Sequence, residues 1–227
     1  MTVYLDYNAT APMAESVIDL MMDVFREAGN ASSVHKDGRR ARARVESARR
    51  DVAGLLGVDA RNVIFTGGGT EANNLALAGI VGAGRRLIVS ATEHASVLQA
   101  RDDAEIAPVD SAGLVDMAVL DQMLSAGDPA LVSVMAANNE TGVIQPLAAI
   151  ADIVHSHGGV LHSDFIQAVG RIELDMPALG VDLATLSAHK ISGPQGVGAL
   201  VLSREFAPSP LIRGGGQEQG HRAGTEN

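Results

Sequence analysis

Two lysines occur among the 227 residues, and one of them lies where an amine could do covalent chemistry. Lys190 follows the apolar run 181–189 and precedes a Gly-Pro turn, whereas Lys36 lies in a charged stretch. Burial lowers the pKa of a lysine because it disfavours the charged form. The neutral amine attacks a carbonyl to make a Schiff base. The alternative is a structural lysine at a strand end whose amine reaches water.

Three consecutive glycines and Thr70 follow the apolar run that ends at Phe65. Glycines let the backbone approach a ligand closely, and a helix N-terminus offers free N–H groups to a phosphate. Thr70 is able to add a hydroxyl to such a site or to serve as the N-cap of the helix. The alternative is a strand–helix turn that simply requires glycine.

The other apolar runs also end in polar residues, and each of these alone is more typical of a cap or a turn than of a catalyst. Ligand sites in α/β sheets lie beyond the carboxyl ends of the strands, so these side chains are expected on one rim. Together they offer a phosphate cradle, a carboxylate and an amine. Pyridoxal phosphate requires those three parts, for its phosphate, its pyridine nitrogen and its aldehyde. The rim residues are Thr70, His94, Asn139, Asp164, Gln167, Ser187, His189 and Lys190.

Alternating strand-like runs and amphipathic helical patterns would position these groups. The alternation predicts an α/β fold with a mostly parallel seven-stranded sheet and helices on both faces. The last strand follows a Gly/Pro-rich link too short for a crossover helix, so we expect it to be antiparallel. The predicted strands are 62–66, 86–90, 105–109, 131–136, 160–164, 182–187 and 197–202, and the predicted helices are 14–26, 38–56, 70–81, 117–125 and 147–157.

Composition excludes several classes of function. A net charge of −10 argues against nucleic acid as a partner, because phosphate neutralisation needs Lys and Arg. The arginine cluster 39–50 has helical spacing and predicts a solvated helix face. The absence of Cys excludes disulfides, thiolate metal sites and a thiol nucleophile within this chain, and we expect no metal. No signal-peptide pattern and no membrane-length apolar run is present, which predicts a cytoplasmic protein with no membrane partner.

The sequence resembles the cysteine desulfurase branch of the class-V aminotransferase-like, fold-type-I pyridoxal phosphate enzymes. The matching segments occur in order along the whole chain: Tyr4–Pro12, Phe65–Glu71, Thr92–His94, Asn138–Gly142, Ser187–Lys190, Gly214–Glu218 and Arg222–Asn227. The resemblance implies that residues 14–227 form the cofactor-binding large domain, with its C-terminal end incomplete. It also implies that residues 1–13 belong to a small domain whose remainder is absent.

The resemblance implies a role for each site residue. Lys190 would hold the cofactor through a Schiff base, and His94 would stack on its ring and move protons. Asp164 would pair with the pyridinium nitrogen, and Gln167 with the ring hydroxyl. The remaining cofactor-binding residues would be Thr70, Ser187 and His189 at the phosphate, Thr225 reaching in from the partner subunit of a homodimer, Asn139 near the substrate carboxylate, and Glu71.

The reaction implied is that of a cysteine desulfurase, which takes sulfur from L-cysteine, leaves alanine, and passes the sulfur to an acceptor protein for iron–sulfur cluster assembly. Family desulfurases carry the sulfur-accepting Cys and a substrate-binding Arg in a C-terminal segment, and this chain ends at Asn227, before that segment. We therefore expect a complete cofactor half and no persulfide chemistry in this chain alone. Two alternatives stay open: a C–S or C–Se β-lyase that needs no protein thiol, and a truncated, non-catalytic dimerisation or scaffold protein.

Overall fold

A computed structural model describes residues 3–79, 85–204 and 206–227. The described residues form one sheet of seven strands in the spatial order β1-β7-β6-β5-β4-β2-β3. The strands are β1 (Val63–Thr66), β2 (Arg86–Ser90), β3 (Glu105–Ala107), β4 (Ala130–Ser133), β5 (Val160–Asp164), β6 (Leu183–Ser187) and β7 (Gly198–Leu202).

Seven α-helices accompany the sheet within these residues, and none of them is long and apolar enough to cross a membrane. They are α1 (Glu15–Phe25), α2 (Lys36–Leu56), α3 (Gly69–Asn74), α4 (Ala95–Leu98), α5 (Met117–Ser125), α6 (Leu147–Ser156) and α7 (Met176–Leu179). A π-helical turn, Leu75–Gly79, continues α3. The end of the predicted helix 70–81 lies outside the described residues.

All seven predicted strands are present, and they differ from prediction only at their ends. Strand β3 ends at Ala107 because Pro108 has no N–H to donate to a ladder. Strand β7 runs antiparallel between β1 and β6, as its short connection predicted. Strands β2, β3, β4, β5 and β6 are mutually parallel, so their carboxyl ends lie at one edge.

Helices cover both faces of the sheet, which confirms the predicted layers. Successive strand residues point to opposite faces, so Ile88 lies in one apolar cluster while Leu87 and Val89 lie in the other. Helices α2, α5, α6 and α7 contribute buried side chains to the first cluster. Helices α3 and α4 contribute Ala72 and Val97 to the second. Most strand residues are therefore buried, and a buried polar residue on a strand needs a specific hydrogen-bond partner.

Arg49 departs from the solvated face predicted for the arginine-rich helix α2. Its side chain is 6% exposed and forms a bidentate ion pair with Glu218, with Nη1–Oε2 and Nη2–Oε1 distances of 2.7 and 2.9 Å. The Glu218 carboxylate also accepts the N–H of Phe65 at 2.9 Å. The prediction was wrong at this position because helical periodicity carries no information about a partner this distant in sequence. The other arginines of the cluster remain exposed: Arg39, Arg40, Arg42, Arg44 and Arg50.

Replacing Arg49 by Met should lower the free energy of unfolding by about 3–5 kcal/mol, because it leaves the buried Glu218 carboxylate without its counter-ion. Chemical denaturation followed by circular dichroism measures the change. Arg50→Met, the matched substitution at an exposed neighbour, should change stability by less than about 0.5 kcal/mol. Equal effects of the two substitutions would contradict a structural role for the buried pair.

Candidate active site

A cavity of about 390 Å³ opens at the carboxyl edge of the sheet. This volume lies within the range of about 300–1,000 Å³ that is typical of small-molecule sites. The cavity brings together eight of the ten site residues predicted from the sequence: Thr70, His94, Asn139, Asp164, Gln167, Ser187, His189 and Lys190.

Glu71 and Thr225 are not among the residues that line this cavity. The Glu71 carboxylate accepts the N–H of Gly67 at 2.8 Å and pairs with Arg222, with an Nε–Oε1 distance of 2.9 Å. Glu71 therefore ties the glycine turn to the C-terminal segment. Thr225 lies exposed in that segment.

Asp164 ends β5 and is 4% exposed. Its Oδ2 accepts a hydrogen bond from Asn73 Nδ2 at 2.9 Å, and its Oδ1 accepts the N–H of Ile166 at 2.8 Å. Burial raises the pKa of Asp164, while Asn73, the Ile166 N–H, His94 and Lys190 act in the opposite direction. A cationic ligand next to this carboxylate would favour its charged form further.

Lys190 ends a short 3₁₀ turn, Ala188–Lys190, that follows β6 directly. Its Nζ donates to the carbonyl oxygens of Asn8 and Ala9, the latter at 2.9 Å. Burial lowers the pKa of Lys190 and so does the charge of Arg171, while Asp164 acts in the opposite direction. The environment therefore increases the fraction of neutral, nucleophilic amine at a given pH.

Gln167 is held between two groups that sequence reasoning did not identify. Its Oε1 accepts from Arg171 Nη1 at 2.9 Å, and its Nε2 donates to the carbonyl of Asn8 at 3.0 Å. Arg171 also donates to Asn8 Oδ1 at 2.7 Å. A guanidinium only donates hydrogen bonds, so Arg171 fixes the orientation of the Gln167 amide. The amide oxygen faces Arg171, and the N–H₂ group faces the carbonyl of Asn8. The four-residue spacing of Gln167 and Arg171 was the available sequence signal.

The glycine turn after β1 packs closely against the site. A Cβ on Gly69 would lie 2.2 Å from Ile166 Cδ1, and a Cβ on Gly198 would lie 2.5 Å from the carbonyl carbon of Gly68. Gly68 has φ +150°, a conformation that favours glycine. Gly68, not Thr70, is the N-cap of α3, so the N-cap alternative for Thr70 was wrong. Thr70 is the second residue of the helix, and its hydroxyl stays available to a ligand.

His189 and Asn139 complete the rim through contacts with the N-terminal segment. His189 Nδ1 lies 3.0 Å from Thr10 Oγ1, and burial lowers the pKa of His189, as does the charge of Lys190. The carbonyl of Asn139 accepts from Asn8 Nδ2 at 3.3 Å. Residues 8–10 thus contact four of the predicted site residues: Asn139, Gln167, His189 and Lys190. Sequence reasoning assigned no site role to residues 8–10 individually.

His94 begins α4 as its N-cap, with Nδ1 accepting the N–H of Ser96 at 3.1 Å. The Ser96 hydroxyl lies 2.8 Å from the same nitrogen. Asn73, which binds Asp164, also donates to this hydroxyl at 2.9 Å. Asn73 and Ser96 were not identified from the sequence, although an asparagine pair beginning an apolar helix was visible.

Comparison with known proteins gives one matching family and many relatives. The family model described as aminotransferase class-V matches residues 3–225. Cysteine desulfurase IscS of Dictyoglomus turgidum is 42% identical over 237 residues, which cover 99% of this chain and 60% of that protein. An IscS-like cysteine desulfurase of Mycobacterium tuberculosis is 44% identical, with 98% and 61% covered. The chain thus spans about 60% of the length of these curated relatives.

Solved structures share the fold across the whole chain. A NifS-like protein from Rickettsia africae superposes with a TM-score of 0.95 at 38% identity, covering 100% of this chain and 65% of that one. A structure described as SspA in complex with cysteine gives 0.89 at 32% identity, covering 99% and 69%. With the family match over nearly its full length, the chain belongs to the class-V aminotransferase family.

Proposed function

We propose that this chain is the cofactor-binding part of a cysteine desulfurase that depends on pyridoxal phosphate. The observation that carries the proposal is the presence of an amine, a buried carboxylate and a glycine-turn helix start around one cavity, supplied by Lys190, Asp164 and Gly69. The relatives named as cysteine desulfurases support the substrate, L-cysteine.

The chemistry of the lining residues fits pyridoxal phosphate. Gly69 allows a close backbone approach at the start of α3, and the hydroxyls of Thr70 and Ser187 offer donors to a phosphate. Asp164 supplies a carboxylate for the pyridine nitrogen, and Gln167 an amide donor for the ring hydroxyl. The bound cofactor supplies an electron sink for amino-acid chemistry.

Two side chains of this protein, those of Lys190 and His94, prepare the chemistry. Lys190 Nζ has a lowered pKa and lies near carbonyl oxygens that accept its hydrogens, so it is poised to react with an aldehyde once it leaves them. His94 borders the same cavity and is the group we assign to hydrogen bonding and proton movement there.

The proposal includes partners and context. We propose a cytoplasmic homodimer in which Thr225 contacts the phosphate bound by the partner subunit, supported by the exposure of Thr225 outside the cavity of its own chain. Residues 1–13 are assigned to a small domain, supported by the exposed side chains of Val3 and Leu5, and residues 14–227 to the large domain. The sulfur would pass to an acceptor protein for iron–sulfur cluster assembly.

Lys190→Ala should abolish covalent attachment of pyridoxal phosphate, because it removes the amine that lines the cavity. Borohydride reduction of the protein mixed with cofactor, followed by peptide mass spectrometry, locates the adduct. Lys36→Ala, which removes the other lysine, should leave the adduct in place. An adduct found on Lys36 in the unaltered chain would refute the assignment.

Asp164→Asn should weaken binding of pyridoxal phosphate by about 10- to 100-fold, since a charge-assisted hydrogen bond contributes about 1.5–3 kcal/mol and an amide cannot stabilise a protonated ring nitrogen comparably. Equilibrium dialysis gives the affinity. Asp152→Asn, at an exposed position of α6, is the matched control and should bind as the unaltered chain does. Unchanged affinity in Asp164→Asn would remove Asp164 from the site.

The chain alone, loaded with cofactor and given L-cysteine and a reductant, should form no alanine by a persulfide route, because its sequence contains no thiol to accept sulfur. Assays for alanine, sulfide and pyruvate follow the reaction. Stoichiometric alanine and sulfide would contradict this expectation. Sulfide with pyruvate would instead indicate the β-lyase alternative.

A further inference from the structure

A buried hydrogen-bond chain links the two sides of the cavity. The Asn73 side chain is fully buried, and its Nδ2 donates to Asp164 Oδ2 and to Ser96 Oγ, both at 2.9 Å. Its Oδ1 accepts from Thr185 Oγ1 at 2.6 Å. The chain ends at His94, whose Nδ1 lies 2.8 Å from the Ser96 hydroxyl. One amide therefore contacts the carboxylate and, through one serine, the imidazole.

The direction of each hydrogen bond follows from the donors available. A carboxylate only accepts, so the atom of Asn73 facing Asp164 is the N–H₂ group. One hydrogen of this N–H₂ group points to Asp164, and the other points to the Ser96 oxygen. Ser96 then accepts from Asn73, and its own hydrogen is free to point to His94 Nδ1.

His94 Nδ1 consequently accepts two hydrogen bonds. The second comes from the backbone N–H of Ser96 at 3.1 Å, which cannot reverse its direction. A nitrogen that accepts from a backbone N–H carries no proton of its own, so the neutral ring must carry its proton on Nε2. Within the described residues, Nε2 has no hydrogen-bond partner, and His94 lines the cavity.

We propose that Asn73 and Ser96 are positioning residues that hold His94 in the Nε2–H tautomer, presenting a hydrogen-bond donor to the ligand while the same amide orients Asp164. The inference rests on the proposed function for the identity of that ligand, but the tautomer itself is a property of the protein alone. His94 would then meet the ligand as a neutral N–H donor and give up a proton from Nε2, rather than take one there.

The arrangement also makes the two groups interdependent. Asp164 ends β5 and contacts Asn73 of α3 directly, whereas His94, the N-cap of α4, is linked to Asn73 through the Ser96 hydroxyl. Any shift of the Asn73 amide changes the donor to Asp164 and the donor to Ser96 together. A hydrogen-bond network of this kind specifies one arrangement of its members because an unpaired buried donor or acceptor is costly.

Nitrogen-15 NMR of protein labelled in its seven histidines tests the proposal without cofactor. The His94 signals are assigned by their loss in His94→Gln. At a pH where the ring is neutral, we expect an unprotonated Nδ1 and a protonated Nε2. In Ser96→Ala, the Nδ1 signal should move toward that of a nitrogen with fewer hydrogen bonds, and Ser96→Thr, which keeps the hydroxyl, should restore it.

A protonated Nδ1 in the unaltered chain, or an Nδ1 signal unmoved by Ser96→Ala, would overturn the proposal. Ser96→Ala leaves Asn73 and the backbone cap in place, so it tests the hydrogen-bond chain even if Asn73→Ala fails to fold. These spectra are independent of cofactor binding. If the unaltered chain does not bind pyridoxal phosphate, the proposed function fails, while the spectra still determine the tautomer of His94.

The link to Asp164 is tested by affinity for pyridoxal phosphate. Asn73→Ala should weaken binding about tenfold or more, because the ionised Asp164 loses a hydrogen-bond donor and its fixed orientation. Asn74→Ala is the matched control on the same helix, since the Asn74 side chain donates only to the carbonyl of Thr70 among the bonds described, at 2.9 Å. Equal affinity of Asn73→Ala and the unaltered chain would overturn the orienting role of Asn73.

Discussion

The candidate site depends on a single carboxyl group, that of Asp164, at the end of a strand that is buried on both faces. A second carboxyl, that of Glu93, is also buried, and the charge of Asp164 contributes to raising its pKa. Asp164 accepts two hydrogen bonds, from Asn73 and from the N–H of Ile166. Glu93 accepts one, from the N–H of Met135 at 2.6 Å, and burial raises its pKa well above the ordinary value. The charged form of Asp164 thus has more support than that of Glu93, from two hydrogen bonds and from the charges of His94 and Lys190.

Close backbone packing fixes the glycine turn that precedes α3. Gly198 of β7 lies so close to Gly68 that a Cβ on Gly198 would clash with the Gly68 backbone, and this contact holds the turn before α3 against the sheet. The antiparallel β7 thus supports the glycine turn. It lies between β1 and β6, the two strands whose following residues supply the glycine turn and Lys190.

Strands, their order along the chain and most of the rim could be predicted because they depend on local periodicity and on one topological rule. Strand β7 was predicted antiparallel from the length of its connection alone. Contacts between distant segments could not be predicted in the same way. Arg49 contacts Glu218, and Gln167 contacts Asn8, only after the chain has folded. Asn73 and Ser96 escaped prediction for another reason: an asparagine in an apolar helix and a serine after a cap residue are common, and only the folded structure shows that they bond to each other, to Asp164 and to His94.

The N-terminal segment completes the rim of the cavity and accepts the hydrogens of its amine. Carbonyls of Asn8 and Ala9 accept the hydrogens of Lys190 Nζ, and Asn8 also engages Gln167. Under the proposed function, Lys190 would keep at most one of these hydrogens once bound to an aldehyde, and at least one of its two contacts to residues 8–9 would be lost. The Ala11 N–H remains bonded to the His189 carbonyl at 2.9 Å and anchors the segment beside the cavity. Residues 8–11 are therefore held to the rim by the amine of Lys190, the amide of Gln167 and the carbonyl of His189.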